Sequence, residues 1–202
     1  MNASDLKEER LTLEVLSAVD RGSKLSQRSL ANQMGVALGL ANSYMKRCVR
    51  KGYIKISEAP ANRYIYYLTP QGFSEKSRLT AQFLSSSFDF YRQAASSCGS
   101  IYRHCQNQGI DTVLLCGYSE LAEIALLQAM DADIQVIGLY DPRGSKKEFF
   151  SRPVWSDLMA LPDTSRVLTD LGDPLAMYRS IRVAKPDIAV LTPDVLGLHT
   201  DL

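Results

Sequence analysis

Leu25-Ser-Gln-Arg-Ser-Leu-Ala-Asn-Gln-Met-Gly35, followed by Val36-Ala-Leu-Gly-Leu-Ala-Asn-Ser-Tyr-Met-Lys-Arg-Cys-Val-Arg-Lys-Gly52, decides the fold of the first part of this chain. Ser26 stands where an N-cap is needed before Leu30, Ala31 and Met34, and Gly35 supplies the left-handed residue that ends a short helix. A second helix begins near Ala37. Leu40, Tyr44, Cys48 and Val49 predict its buried stripe, while Asn42, Ser43, Lys46, Arg47, Arg50 and Lys51 take the remaining surface until Gly52 closes it.

Upstream, Leu13, Leu16 and Val19 fall at helical spacing between Thr12 and Asp20, and Gly22 stops the run. Downstream the period changes. Tyr53-Ile-Lys-Ile-Ser57 alternates, Glu58-Ala-Pro-Ala-Asn62 reads as a turn, and Arg63-Tyr-Ile-Tyr-Tyr-Leu68 is aromatic and β-branched. Three helices and a two-stranded wing follow. Thr69 then serves as N-cap with Pro70 at the first helical position, and Leu79, Phe83, Leu84, Phe88 and Tyr91 carry a helix to about Gln93. Residues 94 to 109 read as a further helix or a continuation, broken by Gly99 and ended by Gly109.

The overall charge of +1 conceals a division. Residues 1–93 hold 14 Lys and Arg against 8 Asp and Glu, a net of +6, whereas residues 94–202 hold 9 against 14, a net of −5. Between Arg21 and Arg63, nine basic residues (Arg21, Lys24, Arg28, Lys46, Arg47, Arg50, Lys51, Lys55, Arg63) face Glu58 alone, the footprint of a polyanion partner. A short helix, a tight turn and a second, basic helix form the geometry that places side chains against base edges of duplex DNA. Ser26, Gln27 and Arg28 are then placed for phosphates, and Asn42 and Ser43 for bases. Lys46, Arg47 and Arg50 run along the groove walls, with Arg47 also suited to a guanine edge, and Asn62 and Arg63 reach a minor groove. The competing reading is a solvated basic face, with Arg50 and Lys51 complementing a helix C-terminus.

Leu25 to Gly35, Gly39-Leu-Ala-Asn-Ser-Tyr44, Lys51-Gly-Tyr-Ile-Lys55, Tyr66-Tyr-Leu-Thr-Pro-Gln-Gly72, Glu75-Lys76 and Leu79-Thr80 together resemble the exopolysaccharide-associated branch of the MarR-type winged-helix regulators, over residues 8–93. The resemblance implies a transcription regulator that binds double-stranded DNA as a homodimer, with a dimerisation helix after the wing. One departure is Ala37, where the family tends to carry a capping serine.

Beyond residue 110, Thr112-Val-Leu-Leu-Cys116 and Ile134-Gln-Val-Ile-Gly-Leu-Tyr140 are buried strands around a helix from Glu120 to Met130, which is a parallel βαβ unit. Trp155 to Leu161, Arg166 to Thr169, Pro174 to Val183 and Asp187 to Thr192 repeat the alternation, predicting a sheet of about four strands. Cys116-Gly-Tyr-Ser-Glu-Leu-Ala122 lies where a dinucleotide fold has G-x-G-x-x-G. It keeps Gly117, has Ser119 in place of the second glycine and Ala122 in place of the third, and Asp141 follows 24 residues after Gly117 for a ribose hydroxyl. Val113 to Ala125, Val136 to Pro142 and Arg152-Pro-Val154 resemble the Rossmann-like domain of sugar-nucleotide acyltransferases and CoA-binding proteins, over residues 111–192. That resemblance implies a small-molecule effector (a nucleotide, a sugar nucleotide or a CoA-type molecule) held by Gly117, Tyr118, Ser119, Asp141 and Arg143.

The expected fold class is therefore an α+β winged helix-turn-helix domain (1–75), a helical linker (76–109) and an α/β Rossmann-like parallel-sheet domain (110–202). With 46% hydrophobic and 22% charged residues, no long apolar run and a polar start, the expectation is a soluble cytoplasmic protein without a membrane partner. Cys48, Cys98, Cys105 and Cys116 form no CxxC pair, and with His104 and His199 they predict free buried thiols and no metal site. No nucleophile elbow, Walker loop or zinc motif is present, and Glu120, Glu123 and Asp141 have structural explanations, so no catalytic activity is expected. The alternatives are a nucleotide- or sugar-nucleotide-using enzyme with a helical accessory domain, and a regulator whose C-terminal domain only oligomerises.

Overall fold

A computed structural model describes residues 3–22, 25–59, 63–144 and 146–198. The chain divides into two compact units, Met1–Ser87 and Phe88–Leu202.

In the first unit, helices α1 (Ala3–Asp20), α2 (Gln27–Met34) and α3 (Leu38–Arg50) precede strands β1 (Ile54–Ala59) and β2 (Arg63–Leu68), and α4 (Pro70–Asn107) starts in this unit and ends in the second. Ser26 caps α2 through a capping box with Ser29, and Gly35 ends it at φ +60°, as the sequence predicts. Ala37 sits at the N-cap of α3 with no side-chain cap. Strands β1 and β2 pair antiparallel from Ile54↔Leu68 to Ala59↔Arg63. The core joins Leu11, Val15, Leu16, Leu30, Met34, Ala41, Met45, Cys48, Ile54, Leu68 and Leu79. Each large apolar side chain here contributes roughly 1.5–3 kcal/mol of burial free energy.

Two expectations for this region change. The buried stripe of α3 is Ala41, Met45 and Cys48, and Leu40 is 39% exposed. The helix after the wing is not broken at Gly99: α4 runs unbroken to Asn107, because a helical glycine costs only about 1 kcal/mol against alanine and flanking burial outweighs that.

The Thr69-Pro-Gln-Gly72 segment locks the wing to the start of α4. Thr69 Oγ1 donates to Gly52 O at 2.6 Å and accepts from Gly72 N at 3.0 Å. A Cβ on Gly72 would lie 2.0 Å from Tyr53 O, so the contact admits glycine alone.

The second unit holds β3 (Thr112–Cys116), α5 (Glu120–Asp131), β4 (Gln135–Tyr140), β5 (Glu148–Phe149), β6 (Arg152–Trp155), β7 (Ser165–Leu168), α6 (Pro174–Ala184) and β8 (Val190–Leu191). Its sheet has six strands in the order β5-β6-β4-β3-β7-β8, all parallel except for the β5–β6 hairpin. The chain lays β4 and β6 on one side of β3, then returns to place β7 and β8 on the other. The order thus reverses between β3 and β7, as in a doubly wound Rossmann-like sheet.

Alternate residues of β3 face different cores. Val113 and Leu115 pack with α5 and with Ala94, Cys98, Tyr102 and Cys105 of α4, while Leu114 and Cys116 pack with Met177 and Ile181 of α6. The expected four strands become six because β5 and β6 are short and joined through Phe150 and Ser151, both at positive φ, which carry no glycine signal. Trp155 ends β6, and only Leu158–Ala160 forms a single 3-10 turn where a helix was expected.

All four cysteines are buried and unbridged. Burial pushes the Cys48 thiol up to about 11 and those of Cys98 and Cys116 up to about 12. Among the described residues no helix is long and apolar enough to cross a membrane, and no cluster of metal-ligating side chains occurs.

Candidate nucleic-acid interface and sheet-edge site

The polar side chains predicted on the helix-turn-helix fall into two groups. A cavity of about 280 Å³ gathers Gln27 of α2 with Asn42, Lys46 and Arg50 of α3, and its walls are Met45, Val49, Ile56 and Tyr66. Lys46 and Arg50 are exposed, and Asn42 is half-buried, with a buried Oδ1 that has no hydrogen-bond partner among the described residues.

Ser26, Arg28, Ser43 and Arg47 lie outside this cavity. Ser26 spends its hydroxyl on the helix cap, accepting from Ser29 N at 3.0 Å, while Arg28 and Ser43 are exposed. Arg47 is half-buried and ion-paired with Glu8 of α1. Asn62, with Lys24 and His199, lies outside the described residues; Arg63 begins β2, but its side chain is not described.

The sequence reading missed the wing's contribution to this face. Ile56 and Tyr66 are cross-strand partners, so they share one side of the hairpin, and both line the cavity. The alternation of Ile54 and Ile56 against Tyr66 and Leu68 carried that signal. Glu8 was also missed, since nothing local ties it to α3.

In the second unit, Gly117, Tyr118, Ser119, Asp141 and Arg143 do come together at the carboxyl edge of the sheet, but their polar groups engage one another. Gly117 has φ +111°, and a Cβ there would lie 2.4 Å from the backbone of Asp170, so this glycine packs the β3 turn against the β7 turn. Ser119 caps α5, accepting from Leu121 N at 3.1 Å and Ala122 N at 3.4 Å, and donates to Thr169 O. Two amides that a pyrophosphate would use are therefore held by the chain itself.

Arg143 joins the ends of β4 and β7. Its Nε donates to Asp141 Oδ1 and its Nη2 to Asp170 Oδ1, both at 2.9 Å, and Nη2 also reaches Tyr118 O at 3.3 Å. Asp170 Oδ2 accepts from Gly172 N at 3.1 Å and Asp173 N at 2.8 Å. Hydrogen bonding to Asp141 raises the Arg143 pKa further above its ordinary value, so the cation is fixed. Asp141 turns toward Arg143 from a buried position, where the sequence reading had it facing a ribose. Arg143 and Lys146 are exposed, and Lys146 Nζ donates to Tyr118 OH at 2.5 Å.

Residues 8–55, from α1 into β1, match the family described as winged helix-turn-helix DNA-binding. The first unit carries a winged helix-turn-helix DNA-binding domain. No curated protein matches the sequence. Among solved structures, the chain is similar to human N-acetylserotonin methyltransferase in complex with SAM, at 10% identity and a TM-score of 0.30, over 82% of this chain and 68% of that one. A likeness of that size assigns neither activity nor ligand to this chain. The neighbour is nevertheless an enzyme, and the expectation that this chain has no catalytic activity, drawn from missing motifs, is given up.

Within the winged-helix domain, the family match ends before β2, so the wing's second strand and the Thr69–Gly72 lock come from the fold and not from the match.

Proposed function

We propose that this protein is a transcription regulator of MarR type that binds duplex DNA as a homodimer through α3 and the wing. The observation that carries the reading is the clustering of Gln27, Asn42, Lys46 and Arg50 beside Ile56 and Tyr66 within a DNA-binding domain. Lys46 and Arg50 supply phosphate contacts, and Asn42, whose Oδ1 is buried, turns its amide outward to meet a base edge. Arg28 and Ser43 are further exposed candidates for DNA contact, with Ser26 and Gln27 at the α2 N-terminus and Arg63 at the start of β2. Exposed Phe83 and Leu84 on α4 support the homodimer, since large apolar side chains in one helical stretch favour a partner.

Binding should weaken steeply with salt, with log K falling against log salt by roughly 0.9 for each phosphate neutralised. A slope near zero in an anisotropy titration on duplex DNA would refute the reading.

The second unit, in this proposal, takes a small-molecule effector of nucleotide, sugar-nucleotide or CoA type at the sheet edge, on the exposed sides of Arg143, Tyr118 and Lys146. What supports it is the reversal of strand order between β3 and β7, where doubly wound sheets receive ligands. Trp155, the single tryptophan, ends β6 and accepts at its carbonyl from Asp141 N at 2.9 Å, so its emission reports this edge. A screen of those three ligand classes should raise the midpoint of the Trp155 transition, and a bound ligand at a hundred times Kd adds about 2.7 kcal/mol. No shift across the screen would leave this unit as an oligomerisation module.

A further inference from the structure

Arg47 differs from its neighbours on α3. Lys46 and Arg50 are exposed, whereas Arg47 is drawn to Glu8 of α1, from Nη2 to Oε1. Neither partner is buried: the side chains are 37% and 39% exposed. A pair this open adds little to stability, because water and salt screen it and two long side chains lose freedom in making it. For the same reason it opens readily to a better partner.

The inference rests on α3 being the DNA-contacting helix. We propose that Glu8 is a specificity-setting residue that withholds Arg47 from non-specific DNA. A phosphate that takes Arg47 from Glu8 gains one cation contact and leaves a carboxylate near the polyanion, so the net gain is close to nothing. A guanine edge engages both arms of the guanidinium and outcompetes a single-point pair. Glu8 therefore lowers affinity for arbitrary sequence more than for a site that presents guanine to Arg47, which is discrimination by penalising the wrong partner. Glu8 itself touches no DNA in this scheme and acts through Arg47.

The test uses the full chain and a labelled mixed-sequence duplex, titrated by anisotropy over a range of salt, with Glu8→Gln, Arg47→Gln and the double variant. Glu8→Gln keeps the shape and removes the charge. It should tighten binding by roughly three- to ten-fold at low salt and steepen the slope of log K against log salt by roughly 0.9, one more phosphate neutralised. In the Arg47→Gln background the same change should have no such effect, since the two residues act as a unit.

Unchanged affinity and slope in Glu8→Gln would overturn the proposal. So would an equal gain in both backgrounds, which would show a general charge effect. Far-UV circular dichroism melting of each variant guards against misfolding, and a misfolded Glu8→Gln chain would make Glu8 a structural residue and end the idea. If the wild type does not bind duplex DNA at all, the regulator reading falls with it. Wild-type binding with an unresponsive Glu8→Gln removes only the role of Glu8.

Discussion

Arg143 donates from Nη2 to Asp170 Oδ1 at 2.9 Å while its Nε holds Asp141 Oδ1 at the same distance, so one guanidinium ties together two carboxylates that end different strands. Those carboxylates are 6% and 1% exposed, and the arginine is 53% exposed. Removing the cation strands two buried charges. Arg143→Met should destabilise the second unit by roughly 3 kcal/mol, the lower end of the range for a broken buried pair because the guanidinium itself is half in water. Urea denaturation followed at Trp155 measures it, and a change within error would mean that solvent already screens both carboxylates.

Gly72 meets Tyr53 backbone to backbone, and a methyl group there would overlap the Tyr53 carbonyl at 2.0 Å. Gly72→Ala must therefore separate α4 from the β1 side of the wing and break the Thr69 bond to Gly52. A loss of roughly 2–4 kcal/mol is expected in the first unit. Far-UV circular dichroism should register it, with the Trp155 transition of the second unit as a control. Wild-type stability in Gly72→Ala would rule out the close approach.

Arg166 is fully buried on β7, and among the described residues its Nε and Nη1 have no hydrogen-bond partner; Nη2 reaches Pro162 O at 3.5 Å. A guanidinium cannot shed its proton to escape the interior. Its neighbours across the sheet are Leu114 and Val190, both apolar. Arg166→Met should be neutral or stabilising by about 1–4 kcal/mol, again read at Trp155. A loss of several kcal/mol would instead reveal a partner for the cation.

Glu75 accepts from Arg78 Nε at 2.9 Å and Nη2 at 3.0 Å, and this hydrogen bonding holds its carboxyl below the ordinary glutamate value. A carboxyl whose folded value lies below its unfolded value adds stability above the unfolded pKa and loses it as pH falls through the folded one. Wild type should exceed Glu75→Gln by under about 1 kcal/mol at pH 7, since Arg78 is half exposed. The gap should shrink below about pH 4.5 and close in stronger acid. A gap that stays constant with pH would place the effect outside ionisation.

Much of the fold was legible locally. Ser26, Gly35 and Gly52 punctuate the helices, the change of period after Gly52 marks the wing, and Thr69-Pro70 starts α4. The run from Thr112 to Tyr140 spells strand, helix, strand. Such signals act over a few residues through capping, backbone freedom and periodicity, so they survive without tertiary context. The gathering of Gly117, Tyr118, Ser119, Asp141 and Arg143 was legible too, because each follows directly on a strand end.

What those groups do there was decided by the folded chain. Asp170 arrives from β7 to pack on Gly117 and to share Arg143, which the spacing from Gly117 to Asp141 cannot announce. Likewise the stripe of α3 admits Leu40 or Ala41 on periodicity alone, and packing against α1 and α2 selects Ala41. Glu8 reaches Arg47, and Tyr53 reaches Gly72, only once separate elements meet. The sequence by itself determined the winged-helix elements, the first βαβ unit and the basic helix, since these depend on neighbours along the chain; the tertiary structure decided the short edge strands β5 and β6, and which charges are free and which are held, since a charge takes its partner from whatever lies nearest in space.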